Sequence, residues 1–227
     1  MQKDVAKTPQ KPSLHARRSA ATQERLIAAA QRLMLRQGYA ATTVDQICAE
    51  AGMTKGSFFH HYASKDALCR AAIDAWGAMG TRLYSEAWRE PGDPLDQLNR
   101  MLDIMVSFTT TRDEPCLCMV GMMSQELALT NPELRGVCAG HLATWTQSVA
   151  RLLGAAKQLH RPVVDFDPER VGWLLNSIWQ GSMLIAKTRQ TPAMIVSNLE
   201  LARAYVTSLF GNPRAVRTTR PLRKKAS

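Results

Sequence analysis

The chain has 227 residues, 45% of them hydrophobic, enough for one substantial core or a small unit leaning on a larger one. No apolar run approaches the roughly 20 residues of a membrane span and the start MQKDVAKTPQKPS has no apolar signal core, so a cytoplasmic protein without a membrane partner is expected. The net charge of +10 sits at the ends: residues 1–65 carry +6, residues 66–210 carry −2 and residues 211–227 carry +6, which points to a polyanion partner there or to basic tails that aid solubility.

Residues 1–18 are polar, contain Pro9 and Pro12, and read as a disordered basic arm. Helical periodicity begins beyond them, with Leu26, Ile27, Ala30, Leu33 and Met34 on one face. Thr22 is the expected cap of this first helix, Glu24 suits its positive end, and Gly38 ends it. Thr43-Val44-Asp45-Gln46 has the Thr-x-x-Gln spacing of a capping box, so a second helix starts there, buries Val44, Ile47 and Ala51, and stops at Gly52. Thr54 caps a third helix that runs through about His61. Ser64 caps a fourth, with the stripe Leu68, Ala72, Ala75, Trp76 and Met79.

Beyond Gly92 one punctuation recurs: Asp93-Pro94, Asn131-Pro132, Asp167-Pro168 and Thr191-Pro192 each pair a good N-cap with proline at the first helical position, where its missing N–H costs nothing. Helices of about 15 to 28 residues are expected between them, with stripes such as Leu95, Leu98, Leu102 and Met105. No stretch shows the sustained alternation of a strand. The fold class is therefore all-α, a three- or four-helix N-terminal unit followed by a larger bundle.

Two short helices joined at Ala51-Gly52-Met53-Thr54 behind a longer one have helix-turn-helix proportions. Gly52 supplies the positive φ of the turn, Cys48 is small enough for a close approach, and Ile47 and Phe58 pin the pair. Residues 43–66, TVDQICAEAGMTKGSFFHHYASKD, resemble the signature of the TetR family: a Thr-initiated helix, a Gly turn, a short Gly-containing helix and an aromatic-x-Ser-Lys exit, in fixed order. The likeness runs without a gap from about Thr22 to Leu68. It departs at Cys48, where alanine is usual; at Phe59, where a tyrosine hydroxyl would touch phosphate; and at His61 and Tyr62, where other aromatics are usual.

On the recognition helix, Thr54 offers its hydroxyl and the helix start its N–H groups to phosphate. Lys55 reaches a guanine edge or a phosphate, and Gly56 removes bulk so that the helix sits deep in the groove. Ser57 hydrogen-bonds to either partner, and Phe59 or His60 meets a thymine methyl or the sugar. His60 and His61 divide evenly between contact and packing, while Phe58 and Tyr62 read as core. Thr43 and Lys65 bracket the helix as phosphate contacts.

The resemblance implies a repressor that binds double-stranded operator DNA as a homodimer and is released by a small-molecule effector. It divides the chain into an arm (1–18), a helix-turn-helix DNA-binding domain (19–66), a helical-bundle ligand-binding and dimerisation domain (67–211) and a basic tail (212–227). Its last two helices, about 168–189 and 192–210, would pair across a two-fold axis, although their apolar stripes serve an intrachain core equally well. Candidates for the ligand site are Cys118, Met119, Met122, Met123, His141, Trp145, Trp173 and Trp179, with ordinary packing as the alternative. An apolar, aromatic effector follows from the Trp and Met supply.

The stretch CMVGMMSQELALTNPELR (Cys118–Arg135) resembles a C-terminal motif of the family, in a branch where some members sense electrophiles or oxidants through the cysteine. Cys118 is therefore the candidate for any thiol response, ahead of Cys116, against a buried and inert thiol. The other alternative is a ligand-independent architectural DNA binder whose basic ends carry more of the affinity. Against an enzyme stand the lack of a Glu-x-x-His repeat, a phosphate-cradling Gly loop or a nucleophile–base pairing, and no cofactor or metal is expected.

Overall fold

In the computed structural model, described over residues 13–110 and 117–211, every regular element is helical. The first, α1 (Leu14–Gln37), starts well before the expected cap at Thr22. Ser13 caps it, its Oγ accepting from the Ala16 N–H at 3.2 Å, and the run of Leu, Ala and Arg that follows favours helix. Thr22 lies inside, its hydroxyl donating to the Arg18 carbonyl at 3.0 Å, the way a threonine is accommodated mid-helix. Residues 14–18 of the expected arm are thus helical, while residues 1–12 and the tail from 212 lie outside the described residues.

The next three helices are α2 (Val44–Ala51), α3 (Lys55–His61) and α4 (Lys65–Ser85), each capped as its sequence predicts. Thr43 and Gln46 form the reciprocal capping box, Gly52 takes the left-handed conformation at φ 62°, and the Thr54 and Ser64 hydroxyls accept from Ser57 and Ala67. A 3₁₀ turn, Glu86–Trp88, closes α4. The body continues as α5 (Pro94–Thr110), α6 (Met119–Leu127), α7 (Pro132–His160), α8 (Pro168–Arg189) and α9 (Ala193–Leu209).

Three of the four punctuation pairs open helices with proline at the first position. At the fourth, α9 begins one residue later and Thr191 does not cap it. The interval from Pro94 to Asn131 holds two helices instead of one. The second, α6, has nine residues and no side-chain cap to announce it, so nothing local marks its start.

Two cores organise the chain. One joins Leu26 and Met34 of α1, Ile47 of α2 and Phe58 of α3 to Leu68 and Ile73 of α4, then runs on through Met119 and Met123 of α6 to Leu134 and Cys138 of α7. The other joins Met101 and Met105 of α5, Leu153 of α7, Leu175 and Trp179 of α8, and Leu199 and Val206 of α9. The short-helix head is thus sealed against the body by a single continuous apolar core. The 29-residue α7, about 44 Å long, contributes to both. Among the described residues no helix is long and apolar enough to cross a membrane.

Candidate nucleic-acid interface and effector cavity

The turn between α2 and α3 is fixed from inside. Ile47 and Phe58 are fully buried, and Arg25 donates to the Ala51 carbonyl at 2.7 Å, satisfying the end of α2. Phe58 meets Phe59 edge-on and lies 6.2 Å from Tyr62 between ring centroids, so Phe58 and the half-buried Tyr62 belong to the packing, as expected.

What remains of α3 faces outward. Thr54, Lys55, Gly56 and His60 are exposed, Ser57 and His61 are half-buried, and Phe59 is 55% exposed, unusual for a side chain with so much apolar surface. A Cβ on Gly56 would meet nothing nearer than the Thr54 hydroxyl at 3.8 Å, so the chain itself does not require a glycine there. Lys55 pairs with Asp45 of α2 at 2.8 Å, both exposed, and this partner holds its ammonium above the usual lysine range.

Two expected phosphate contacts are engaged inside the chain. Thr43 spends its hydroxyl on the capping box with Gln46. Lys65 donates to the Tyr39 and Thr42 carbonyls at 3.0 and 2.9 Å and sits 3.9 Å above the Tyr39 ring. Its ammonium ties α4 to the turn between α1 and α2, a role invisible in sequence because the acceptors are backbone oxygens more than twenty residues away.

A second set of bonds ties that turn to the body. The Glu126 carboxylate, on α6, accepts the backbone N–H groups of Tyr39 at 2.8 Å and Ala40 at 2.7 Å. Gly38 beside them has φ +84°, and a Cβ there would come 2.9 Å from the same carboxylate. The Tyr39 hydroxyl bonds Asp66, whose other oxygen accepts from Asn131, the cap of α7; burial, then Asp66, pushes the phenol well above its usual pKa. Arg70 of α4 pairs with Glu133 of α7 at 2.6 Å. The motif had marked Glu126 without revealing this contact.

Two spaces open beside the candidate ligand residues. A partly open cavity of about 80 Å³ lies among α4, α6, α7 and α8, walled by Trp76, Tyr84, His141, Trp145, Asn176 and Trp179. A cleft of about 310 Å³ lies between α6 and α8, walled by Met122, Gln125, Glu126, Met183 and Lys187. Cys118 and Gln180 line both, with the Gln180 amide donating to the Cys118 sulfur at 3.7 Å. Gly121 makes this possible, since a Cβ there would lie 2.1 Å from the Gln180 oxygen.

Of the candidate ligand residues, Cys118, His141, Trp145 and Trp179 therefore meet at the cavity, and Cys118 and Met122 at the cleft. Three do not. Met119 and Met123 are fully buried in the core beneath the head, and Trp173 is 41% exposed on the outer face of α8. His141 is half-buried, bonds Asp74 at 2.7 Å and covers Gly77, where a Cβ would strike its ring at 2.2 Å. Trp76, Tyr84, Asn176 and Gln180 were not expected in these walls. Trp76 had shown only as part of an apolar stripe, and no local signal distinguishes the others.

Cys118, extended in its own backbone, immediately precedes α6. Burial raises its thiol, opposed by bonds from the Gly121 N–H, Gln180, the Val120 N–H and Trp76. Cys48, Cys69 and Cys138 are buried free thiols, and burial pushes Cys69 up to about 12. Cys116 lies outside the described residues.

An outward-facing helix-turn-helix packed on a helical body that holds an aromatic-walled cavity defines a DNA-binding transcriptional regulator. Residues 26–72 match the model of bacterial regulatory proteins of the tetR family, and residues 94–201 match that of the tetracyclin repressor-like C-terminal domain. The chain belongs to the TetR family of transcriptional regulators, whose members bind operator DNA and are typically repressors with ligand-binding C-terminal domains.

Similar proteins include the transcriptional regulator AcuR of Cereibacter sphaeroides, 28% identical over 189 residues that cover 81% of this chain and 86% of that one. The HTH-type transcriptional regulator YxaF of Bacillus subtilis is 26% identical over 179 residues, 78% of this chain and 91% of its own. The crystal structure of a regulatory protein TetR from Rhodobacter sphaeroides superposes with a TM-score of 0.71 at 26% identity, over 81% of this chain and 98% of that one. These relatives are named as regulators, not enzymes.

Proposed function

We propose that the chain is a cytoplasmic, homodimeric repressor that grips a palindromic operator with α3 and releases it when a small apolar or aromatic effector enters the body. The observation that carries this reading is that α4 does two jobs. Its first half, Leu68 to Ile73, is packed in the core of the head, and its second half supplies Trp76 and Tyr84 to the cavity wall. A ligand that binds one setting of α4 more tightly than another shifts the recognition helices; equal affinity shifts nothing.

Dimerisation is supported by the outer faces of the last two helices. Trp173, Leu174, Leu184 and Ile185 of α8 and Leu201 and Tyr205 of α9 are each between 39% and 66% exposed, an apolar area of the kind that marks an interface. Specificity argues the same way, because one recognition helix reads too few bases to be selective. Thr54, Lys55, Gly56, Ser57, Phe59, His60 and His61 are the proposed DNA contacts. Gly56, smaller than its own fold demands, fits a helix pressed against an external surface. The basic stretches 1–18 and 212–227 add affinity without sequence choice. A thiol switch at Cys118 has less support, since burial disfavours its reactive thiolate.

Light scattering should give twice the 25.2 kDa chain mass, and footprinting should give two protected half-sites one helical turn, or a multiple, apart. A monomer protecting one half-site refutes the dimer. Release of an operator duplex, followed by fluorescence anisotropy against a panel of neutral and charged aromatics, tests the effector. A panel that binds the protein without displacing DNA refutes regulated release.

A further inference from the structure

The partly open cavity beside α4 carries an unmet chemical requirement. Trp145 of α7 lines it, and the Trp145 indole N–H is the buried side-chain donor that lacks a partner among the described residues. Buried donors are almost always paired, so an orphan in a cavity wall marks a place where something else supplies the acceptor. Three donors around it are already engaged. The Asn176 amide nitrogen donates to the Leu142 carbonyl at 3.1 Å and the Thr146 hydroxyl at 2.9 Å, and the Gln180 amide nitrogen donates to Cys118. The His141 Nε2 is held by Asp74. A ligand acceptor gives the orphaned N–H its partner, whereas a ligand donor leaves it unmet.

Charge and shape narrow the class further. None of the described residues lining the cavity is Lys, Arg, Asp or Glu, and the imidazole of His141 already holds Asp74 at 2.7 Å, so a carboxylate would shed hydration without meeting an unengaged cation, and an amine without meeting an unengaged anion. The adjoining cleft, with Glu126 and Lys187, is the charged space. The cavity walls are aromatic, with Tyr84 and Trp145 in edge contact at 6.4 Å, and its volume of about 80 Å³ is roughly half that of an apolar cavity that holds benzene, so it admits at most a single ring, and that only as its walls give way.

We infer that this cavity binds a neutral single-ring aromatic carbonyl compound, its oxygen accepting from the Trp145 N–H and its ring held by Trp76, Tyr84 and Trp179. The inference deepens the effector reading and rests on it for the consequence at the operator. The site itself rests on the cavity and its unpaired donor.

Three probes isolate the claim: acetophenone, α-methylstyrene, which replaces the oxygen by a methylene on the same frame, and benzoate, which adds the charge. Nitrogen-15 spectra of the wild-type protein give the Trp145 indole resonance, identified by its loss in Trp145→Phe. Acetophenone should move it downfield and α-methylstyrene should not. Titrations should show Trp145→Phe weakening acetophenone about tenfold more than α-methylstyrene, because only the carbonyl loses a partner. Benzoate should bind at least about tenfold more weakly than acetophenone.

Equal losses for the two neutral probes, an unmoved indole resonance, or no binding of either probe overturns the inference. Benzoate binding as tightly as acetophenone overturns its neutrality. Anisotropy of an operator duplex obtained by in vitro selection, read in the same samples, separates the two levels. Trp145-dependent binding without release leaves the site standing and refutes the effector reading, whereas release without Trp145 dependence does the reverse.

Discussion

Glu126 offers the sharpest test of how the head is held. Its carboxylate accepts two consecutive backbone N–H groups, and Glu126→Ala removes both bonds at once. Bonds to a charged acceptor contribute about 1.5–3 kcal/mol each when shielded. Ala40 is exposed, so water replaces the carboxylate at its N–H and most of that term vanishes. Tyr39 is half-buried, and its N–H keeps most of its loss. The net destabilisation should be about 2 kcal/mol, which for a chain of this size lowers Tm by about 4–8 °C. Glu126→Gln should do little better, because whichever way its amide turns, an NH₂ faces one of the two N–H donors. Calorimetry at fixed protein concentration measures the shift, the concentration being held because a dimer's Tm depends on it. Hydrogen exchange adds location: Tyr39 and Ala40 should exchange faster in the variant, with α8 and α9 unaffected. A Tm within about 1 °C of wild type, with unchanged exchange at these amides, would mean that the shared core alone holds the head and that the carboxylate is incidental.

Three further outcomes follow from the same contacts. Lys55→Ala should weaken operator binding about tenfold and relax preference at one base if Lys55 reads a base edge; an equal loss on all sequences makes it a phosphate contact. Removing residues 1–12 together with 212–227 should flatten the salt dependence of binding while the preferred operator stays the same, and an unchanged slope assigns these segments to solubility. Gly77→Ala should displace the His141 ring, break its bond to Asp74 and lower Tm by several degrees, since the added Cβ would lie 2.2 Å from the ring; an unchanged Tm would show that the ring moves aside freely.

The head was legible because its signals are local. Thr43 and Gln46, Thr54 and Ser57, and Ser64 and Ala67 are each three residues apart, and Gly52 states its own backbone requirement. The start of α1 was missed because its first turns are polar and basic, so the apolar periodicity shows only from Leu26 and pointed to Thr22, whereas Ser13 is the cap. The cavity was half legible. Trp173 and Trp179 lie six residues apart on one helix, about 240° around its axis, so a single wall had no room for both. Which of them faces inward depends on α7, whose His141 and Trp145 lie on another helix some thirty residues away. Met119 and Met122 differ by only about 60°, yet one is sealed under the head and the other lines the cleft. The wall between core and cleft passes between them, and no property of two methionines reveals it. Glu126 and Lys65 show the same limit for polar groups, whose backbone partners carry no side-chain signal in sequence.

The continuity of the first core constrains how a ligand is able to act. Moving a two-state protein from mostly bound to mostly released takes a differential affinity of about 5.5 kcal/mol. A single neutral hydrogen bond from Trp145 supplies about 1.5 kcal/mol of that at best, so it selects the ligand without driving the change. The remainder must come from apolar surface that is buried differently in the two settings of α4, where Trp76 and Tyr84 stand. Two sites per dimer double the available free energy if both heads move together. The head does not swing freely to absorb this motion, because Leu68 and Ile73 of α4 share a core with Met119 and Met123 of α6, and Glu126 clasps the turn above. A ring that pushes α4 from the cavity side therefore carries the recognition helix with it as one packed unit, the behaviour expected of close-packed interiors that shift between discrete arrangements instead of deforming gradually.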